Sequence, residues 1–153
     1  MCDNCGSYEE STKQLTLRKL PIIACFHLKR FEHTAAARRK KIKDAVKYPE
    51  FIDLTPYTTA ERNRESSLAA SGSSDGGTSS QQHLAQLKNR YSLIAVVNHN
   101  GTTESGHYSC FIRHARRQWY KCNDTVISRE SVEKVLKSEG YLLFYSKMFI
   151  DYD

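Results

Sequence analysis

The sequence predicts an α+β domain built mainly on an antiparallel sheet. Three observations carry this. Short runs of strand-forming residues recur along the chain, bounded by Pro, Gly and polar clusters. Two of these runs, residues 108–113 and 119–122, flank a basic polar patch of hairpin length. Only one stretch, residues 128–137, carries a helical repeat with both a start and a stop signal. The chain has 153 residues, enough for one domain with its own core.

Taken in order, Cys2 and Cys5 form a C-x-x-C followed by Gly6. Two thiolates at that spacing can grip one face of a tetrahedral zinc, but a structural site needs four ligands. The chain holds no second C-x-x-C, so this is half a site. Residues 13–19 alternate, with Leu15 and Leu17 on one face, and read as a half-buried strand that Pro21 breaks. Residues 22–28 are almost continuously apolar and suggest a central strand buried on both faces. Cys25 is then a small core residue, and His27 a core or near-core histidine. The basic run Arg38, Arg39, Lys40, Lys41 and Lys43 reads as a solvated loop between strands. Tyr48, Phe51, Ile52 and Leu54 around Pro49 suggest a short edge strand.

Residues 58–89 change character. Their Ser, Gly and Gln clusters carry little to bury, and they read as a disordered insertion within the one domain that spans residues 1–153. Residues 91–97 form a strongly apolar strand, and residues 98–104 a polar loop with Gly101. After the 108–122 hairpin, Ser128 is placed to cap a helix through Lys137, with Val132, Val135 and Leu136 on one face. Gly140 stops it, and residues 141–145 are the last strand.

The hairpin also carries the chemistry. His107 immediately precedes its first strand, and Asn123 and Asp124 end its second. Residues directly opposite in a ladder share a face. His107 is opposite Asn123 for an odd loop count and Asp124 for an even one. Either way an imidazole gains a side-chain oxygen that can fix its tautomer, which is the orienting half of a hydrolytic triad. Gly106 before it would let a substrate backbone approach.

Bulk properties narrow the classes. The net charge of +6 favours acidic partners in general, but the basic residues fall in short clusters, which argues against direct nucleic-acid binding. No apolar run approaches membrane-spanning length, and the N-terminus lacks the order of a signal peptide. A soluble intracellular protein without a membrane partner is expected. Five cysteines in no framework spacing are expected to stay reduced.

An ordered set of motifs then resembles one family. It comprises Cys2-x-x-Cys5, Phe26-His27-Leu28-Lys29-Arg30-Phe31, Tyr91-x-Leu93, Gly106-His107-Tyr108, Trp119-Tyr120-Lys121 before Asn123-Asp124, and Tyr141-Leu142-Leu143-Phe144-Tyr145. Together they resemble the C-terminal half of the ubiquitin-specific protease catalytic domain. The branch most resembled is the histone deubiquitinase subunit of the SAGA coactivator complex. The resemblance implies the palm of a papain-like cysteine protease fold with part of a zinc-ribbon fingers region. It implies that His107 is the general base, that Asn123 is the third triad member, and that Asp124 shares the polar role. It implies that Gly106 and Tyr108 border the channel for the ubiquitin tail, and that Cys2 and Cys5 are two ligands of a structural zinc. Ubiquitin, ubiquitinated histones and adaptor subunits of a SAGA-type module would be the partners, in the nucleus. The family's nucleophilic cysteine has no match in this chain, so a fragment without turnover of its own is expected. The alternative is a catalytically inactive ubiquitin-binding or scaffold fragment.

Overall fold

The computed structural model describes residues 6–8, 10, 13–33, 39–71, 88–115 and 118–149. Nine strands and two α-helices are assigned among them: β1 (Ile23–His27), β2 (Phe31–His33), β3 (Arg39–Lys41), β4 (Phe51–Asp53), α1 (Thr59–Ser71), β5 (Arg90–Gly101), β6 (Gly106–Arg113), β7 (Trp119–Asn123), β8 (Val126–Glu130), α2 (Val132–Leu136) and β9 (Gly140–Lys147). Seven strands form one sheet in the order β1-β9-β5-β6-β7-β8, with β4 paired to the start of β5. Every pairing in it is antiparallel. Strands β2 and β3 make a separate two-stranded ribbon. The α+β class and the antiparallel sheet are as expected.

One face of the sheet holds the core. Tyr91, Leu93 and Val96 of β5, Phe111 of β6, Trp119 of β7, and Leu143 and Tyr145 of β9 are buried there with Tyr48, Leu54 and Val135. A register irregularity between Leu93 and Ala95 resets the alternation of β5, so that Leu93 and Val96 both turn inward. Helix α2 is tied to this face by polar contacts. The Tyr48 hydroxyl donates to the Val135 carbonyl at 2.6 Å and lies 2.8 Å from Ser138 Oγ. Ser138 Oγ in turn donates to Asn98 Oδ1 at 3.2 Å.

The basic run is not wholly loop, since Arg39–Lys41 form β3, and five further expectations about the elements are corrected. Residues 13–19 form no strand: Leu17 makes a single bridge to Thr58, and Leu15 and Leu17 line an open groove with Phe26 and Phe51. The apolar run at β1 is not central. It pairs with β9 at the end of the sheet, and its residues are mostly exposed. The central places go to β5 and β9, which have partners on both edges. Strand β5 runs on through Gly101, with Asn98 and His99 buried where a polar loop was expected. Ser128 is paired with Lys121 inside β8, so Ser131 caps α2 instead, its Oγ accepting from the Lys134 N–H at 3.3 Å.

The fifth correction concerns residues 58–89. Residues Thr59–Ser71, assigned to a disordered insertion, form helix α1. Thr58 Oγ1 accepts from the Glu61 N–H at 3.3 Å, and Glu61 pairs with Arg64 at 2.5 Å. These local contacts suffice to start a helix that has no apolar face. Residues 72–87 lie outside the described residues.

Candidate active site

The β6–β7 ladder pairs Arg113 with Trp119 and Cys110 with Cys122. Continued by alternation, it puts Asn123 opposite Ser109 rather than His107. Residues 107, 109 and 123 therefore share a face, and Asn123 lies on the diagonal from His107. The odd loop count was the right parity, but the turn is two residues longer than direct opposition needs. Across that diagonal, His107 Nε2 and Asn123 Oδ1 are 2.5 Å apart. An amide oxygen only accepts, so Nε2 is the donor in this contact.

Asn123 and Asp124 stand at different distances from His107. Asp124 Oδ2 stands 3.9 Å from the same Nε2, and both side chains are open to solvent, 51% for His107 and 78% for Asp124. Asp124 is the first residue of the two-residue connection between β7 and β8, with φ 51°. That left-handed position is tolerated by Asp, and the tight turn fixes the end of β7 that carries Asn123.

On the other side, β5 leads into the site. Asn100 pairs with His107 and Gly101 with Gly106. The Thr102 N–H donates to the Ser105 carbonyl at 2.7 Å, and Thr102 Oγ1 accepts from the Glu104 and Ser105 N–H groups, each at 3.2 Å. Gly101 sits at φ 121°, a conformation that favours glycine.

Gly106 is needed for space. A Cβ placed there would stand 2.0 Å from His99 Nε2. The imidazole of His99 thus packs directly against the backbone before His107. On the other side of His107, the Tyr108 ring lies 4.7 Å from the His99 ring. Phe31 and Tyr141 complete the surround of His99 at 5.5 and 6.2 Å, and His27 meets Tyr141 at 4.9 Å. Tyr108 remains 54% exposed and opens this aromatic patch to solvent. Lys41 Nζ donates to the His99 carbonyl. Burial, and then the Lys41 charge, lower the His99 pKa from its ordinary value.

His99 is the residue that sequence reasoning missed. Its signal was the two-residue period of Val97, His99 and Gly101, which continues the β5 alternation beyond the apolar run.

The described thiols lie away from the His107 face. Cys110 is three residues beyond His107 on the same strand and faces the other way, as expected. Cys25, expected in the core, is exposed on the terminal strand, and Cys122 is half-buried opposite Cys110. Cys2 and Cys5 lie outside the described residues. Among the described residues no group of three or more His, Cys, Asp or Glu could hold a metal ion. No described helix is long and apolar enough to cross a membrane.

Comparison with known proteins identifies relatives of this chain. Residues 1–145 match the family described as ubiquitin carboxyl-terminal hydrolase. Mouse ubiquitin carboxyl-terminal hydrolase 22 is 53% identical over 154 residues, covering 99% of this chain and 27% of that relative. Human ubiquitin carboxyl-terminal hydrolase 27 is 50% identical over 152 residues, covering 99% of this chain and 33% of the relative. The chain thus spans about a quarter to a third of the length of these curated relatives. Among solved structures, the SAGA Ubp8/Sgf11/Sus1/Sgf73 DUB module bound to ubiquitin aldehyde superposes with a TM-score of 0.73 at 31% identity, covering 98% of this chain and 30% of that one. Matched along nearly its whole length in sequence and in fold, the chain belongs to the ubiquitin carboxyl-terminal hydrolase family.

Proposed function

We propose that this chain supplies the general-base half of a thiol-dependent deubiquitinase. The observation that carries the reading is the 2.5 Å contact between His107 Nε2 and Asn123 Oδ1, which leaves Nδ1 free to take a proton. In this reading a cysteine that is not among these 153 residues gives its proton to His107 Nδ1. Its thiolate attacks the carbonyl carbon at the ubiquitin C-terminus. His107 then protonates the leaving amine, and water, activated by the same nitrogen, releases ubiquitin from the acyl-enzyme. Asn123 holds the tautomer without adding charge. The Asp124 carboxylate stands 3.9 Å from the same ring nitrogen. Gly106 and Tyr108 border the channel for the ubiquitin tail.

The wider assignments rest on the relatives. Likeness to the SAGA DUB module bound to ubiquitin aldehyde supports ubiquitin and adaptor subunits of that type as partners, and monoubiquitinated histones as substrates in a nuclear setting are proposed on the family resemblance. Cys2 and Cys5 are proposed as two ligands of a structural zinc, and no step of the reaction runs through that metal.

The test is turnover of a fluorogenic ubiquitin substrate. The full-length protein is expected to turn over, and His107→Ala to lower kcat by about 10²–10⁴-fold. The isolated 153-residue chain is expected to show no turnover. Turnover by the isolated chain, abolished by His107→Ala, would overturn the assignment of the nucleophile to a cysteine outside these 153 residues. Ubiquitin binding by a full-length protein that shows no turnover would favour the inactive binding fragment.

A further inference from the structure

Cys110 and Cys122 are direct partners in the β6–β7 ladder. The His114 N–H donates to the Gln118 carbonyl at 2.8 Å, which marks residues 114 and 118 as a hydrogen-bonded pair. Such pairs alternate along an antiparallel ladder, so 112 with 120 and 110 with 122 are of the same kind. Their Cα atoms stand about 5.5 Å apart in regular geometry. A disulfide spans Cα separations of about 4.4–6.8 Å. Both thiols are free and half-buried, on the sheet face opposite His107. Cys25 of β1 is separated from Cys110 by β9 and β5.

We propose that Cys110 and Cys122 are an oxidative modification site, closing to a reversible disulfide across the ladder when the protein meets a peroxide. One thiolate attacks the peroxide, becoming a sulfenic acid and releasing water from hydrogen peroxide. The facing thiol displaces the sulfenic oxygen as a second water, forming the S–S bond. Two thiols and one peroxide thus give one disulfide and two waters. A dithiol reductant reverses the step. Burial, and then the neighbouring Cys122, push the Cys110 thiol above its ordinary pKa, so closure is slow at neutral pH.

The position gives the bond a consequence. Cys122 directly precedes Asn123, and Cys110 follows His107 by three residues. A cross-link here clamps the strands that hold the His107–Asn123 contact. The proposal rests on the register and the two thiols, not on the catalytic role of His107. Loss of one reading therefore leaves the other standing.

The test is peptide mapping without reduction. The chain is treated with hydrogen peroxide, capped with N-ethylmaleimide, isolated as monomer and digested with trypsin. Residues 91–113 and 122–129 are expected as one linked peptide, lighter than the sum by two hydrogens. Dithiothreitol should abolish it, Cys110→Ser should remove it, and Cys25→Ser should leave it unchanged. Unlinked peptides carrying capped or separately oxidised cysteines would overturn the proposal. So would linkage of either thiol to Cys25 in peptide 20–29. An unchanged circular dichroism spectrum keeps the result a property of the folded chain.

Discussion

Asn123 reaches His107 along the diagonal of the β6–β7 ladder, two residues from the position directly opposite. That offset makes the contact depend on the side-chain amide and on the turn at Asp124 together. Removing the amide should free the imidazole to rotate. Asn123→Ala in the full-length protein is expected to lose about 10–100-fold in kcat, the equivalent of about 1.5–3 kcal/mol for one strong hydrogen bond. Asn123→Asp should retain activity, because a carboxylate keeps the acceptor and adds charge. Steady-state turnover of a ubiquitin substrate checks both.

Gly106 and His99 are a second coupled pair. A methyl at Gly106 would clash with the His99 ring, 2.0 Å from Nε2. Gly106→Ala should therefore destabilise the chain by about 1–3 kcal/mol through overpacking. His99→Ala removes the nearest obstacle and leaves the Asn100 carbonyl at 2.7 Å, so the double variant should be more stable than the sum of the two single losses, with a coupling of about 0.5–3 kcal/mol. Urea unfolding of the four proteins measures the cycle.

His99 also sets a pH dependence. Its folded-state pKa lies below the ordinary value because burial and Lys41 oppose its charge. The unfolded chain then takes up a proton that the folded chain refuses. The stability this residue contributes is complete above its unfolded pKa of about 6.5. It is lost as the pH falls from there through the depressed folded value. The urea midpoint should drop between about pH 7.5 and 5.5, and His99→Gln should flatten that slope.

Tyr48 carries a structural prediction outside the site. Its hydroxyl meets the Val135 carbonyl and Ser138 Oγ, and Ser138 continues to Asn98 of β5. Tyr48→Phe leaves the ring volume and strands those partners. A loss of about 1–3 kcal/mol in unfolding free energy is expected.

The sequence showed the hairpin because strand formers, basic patch and polar end are all local features. It showed the shared face of His107 and Asn123 by parity, while the two-residue offset required the actual register. Position within the sheet was not local. The apolar run at β1 and the run at β5 look alike in composition, yet one is terminal and the other central. Helix α1 has no apolar face, so periodicity could not find it among the serines. Ser128 and Ser131 are equally good caps in isolation, and only the pairing of Ser128 with Lys121 separates them. His99 was hidden because a buried histidine beside a loop glycine looks polar in sequence. Its packing against Gly106 exists only once β5 and β6 pair.

The central claim is that Asn123 holds His107 with Nε2 protonated and Nδ1 open toward a thiol. The most direct measurement is the ¹⁵N NMR spectrum of the His107 ring nitrogens at about pH 8, above the ordinary imidazole range, with Asn123→Ala as reference. A protonated Nε2 beside an unprotonated Nδ1, lost in the variant, is the result predicted. A proton on Nδ1, or a ring that exchanges tautomers freely in both proteins, would contradict it.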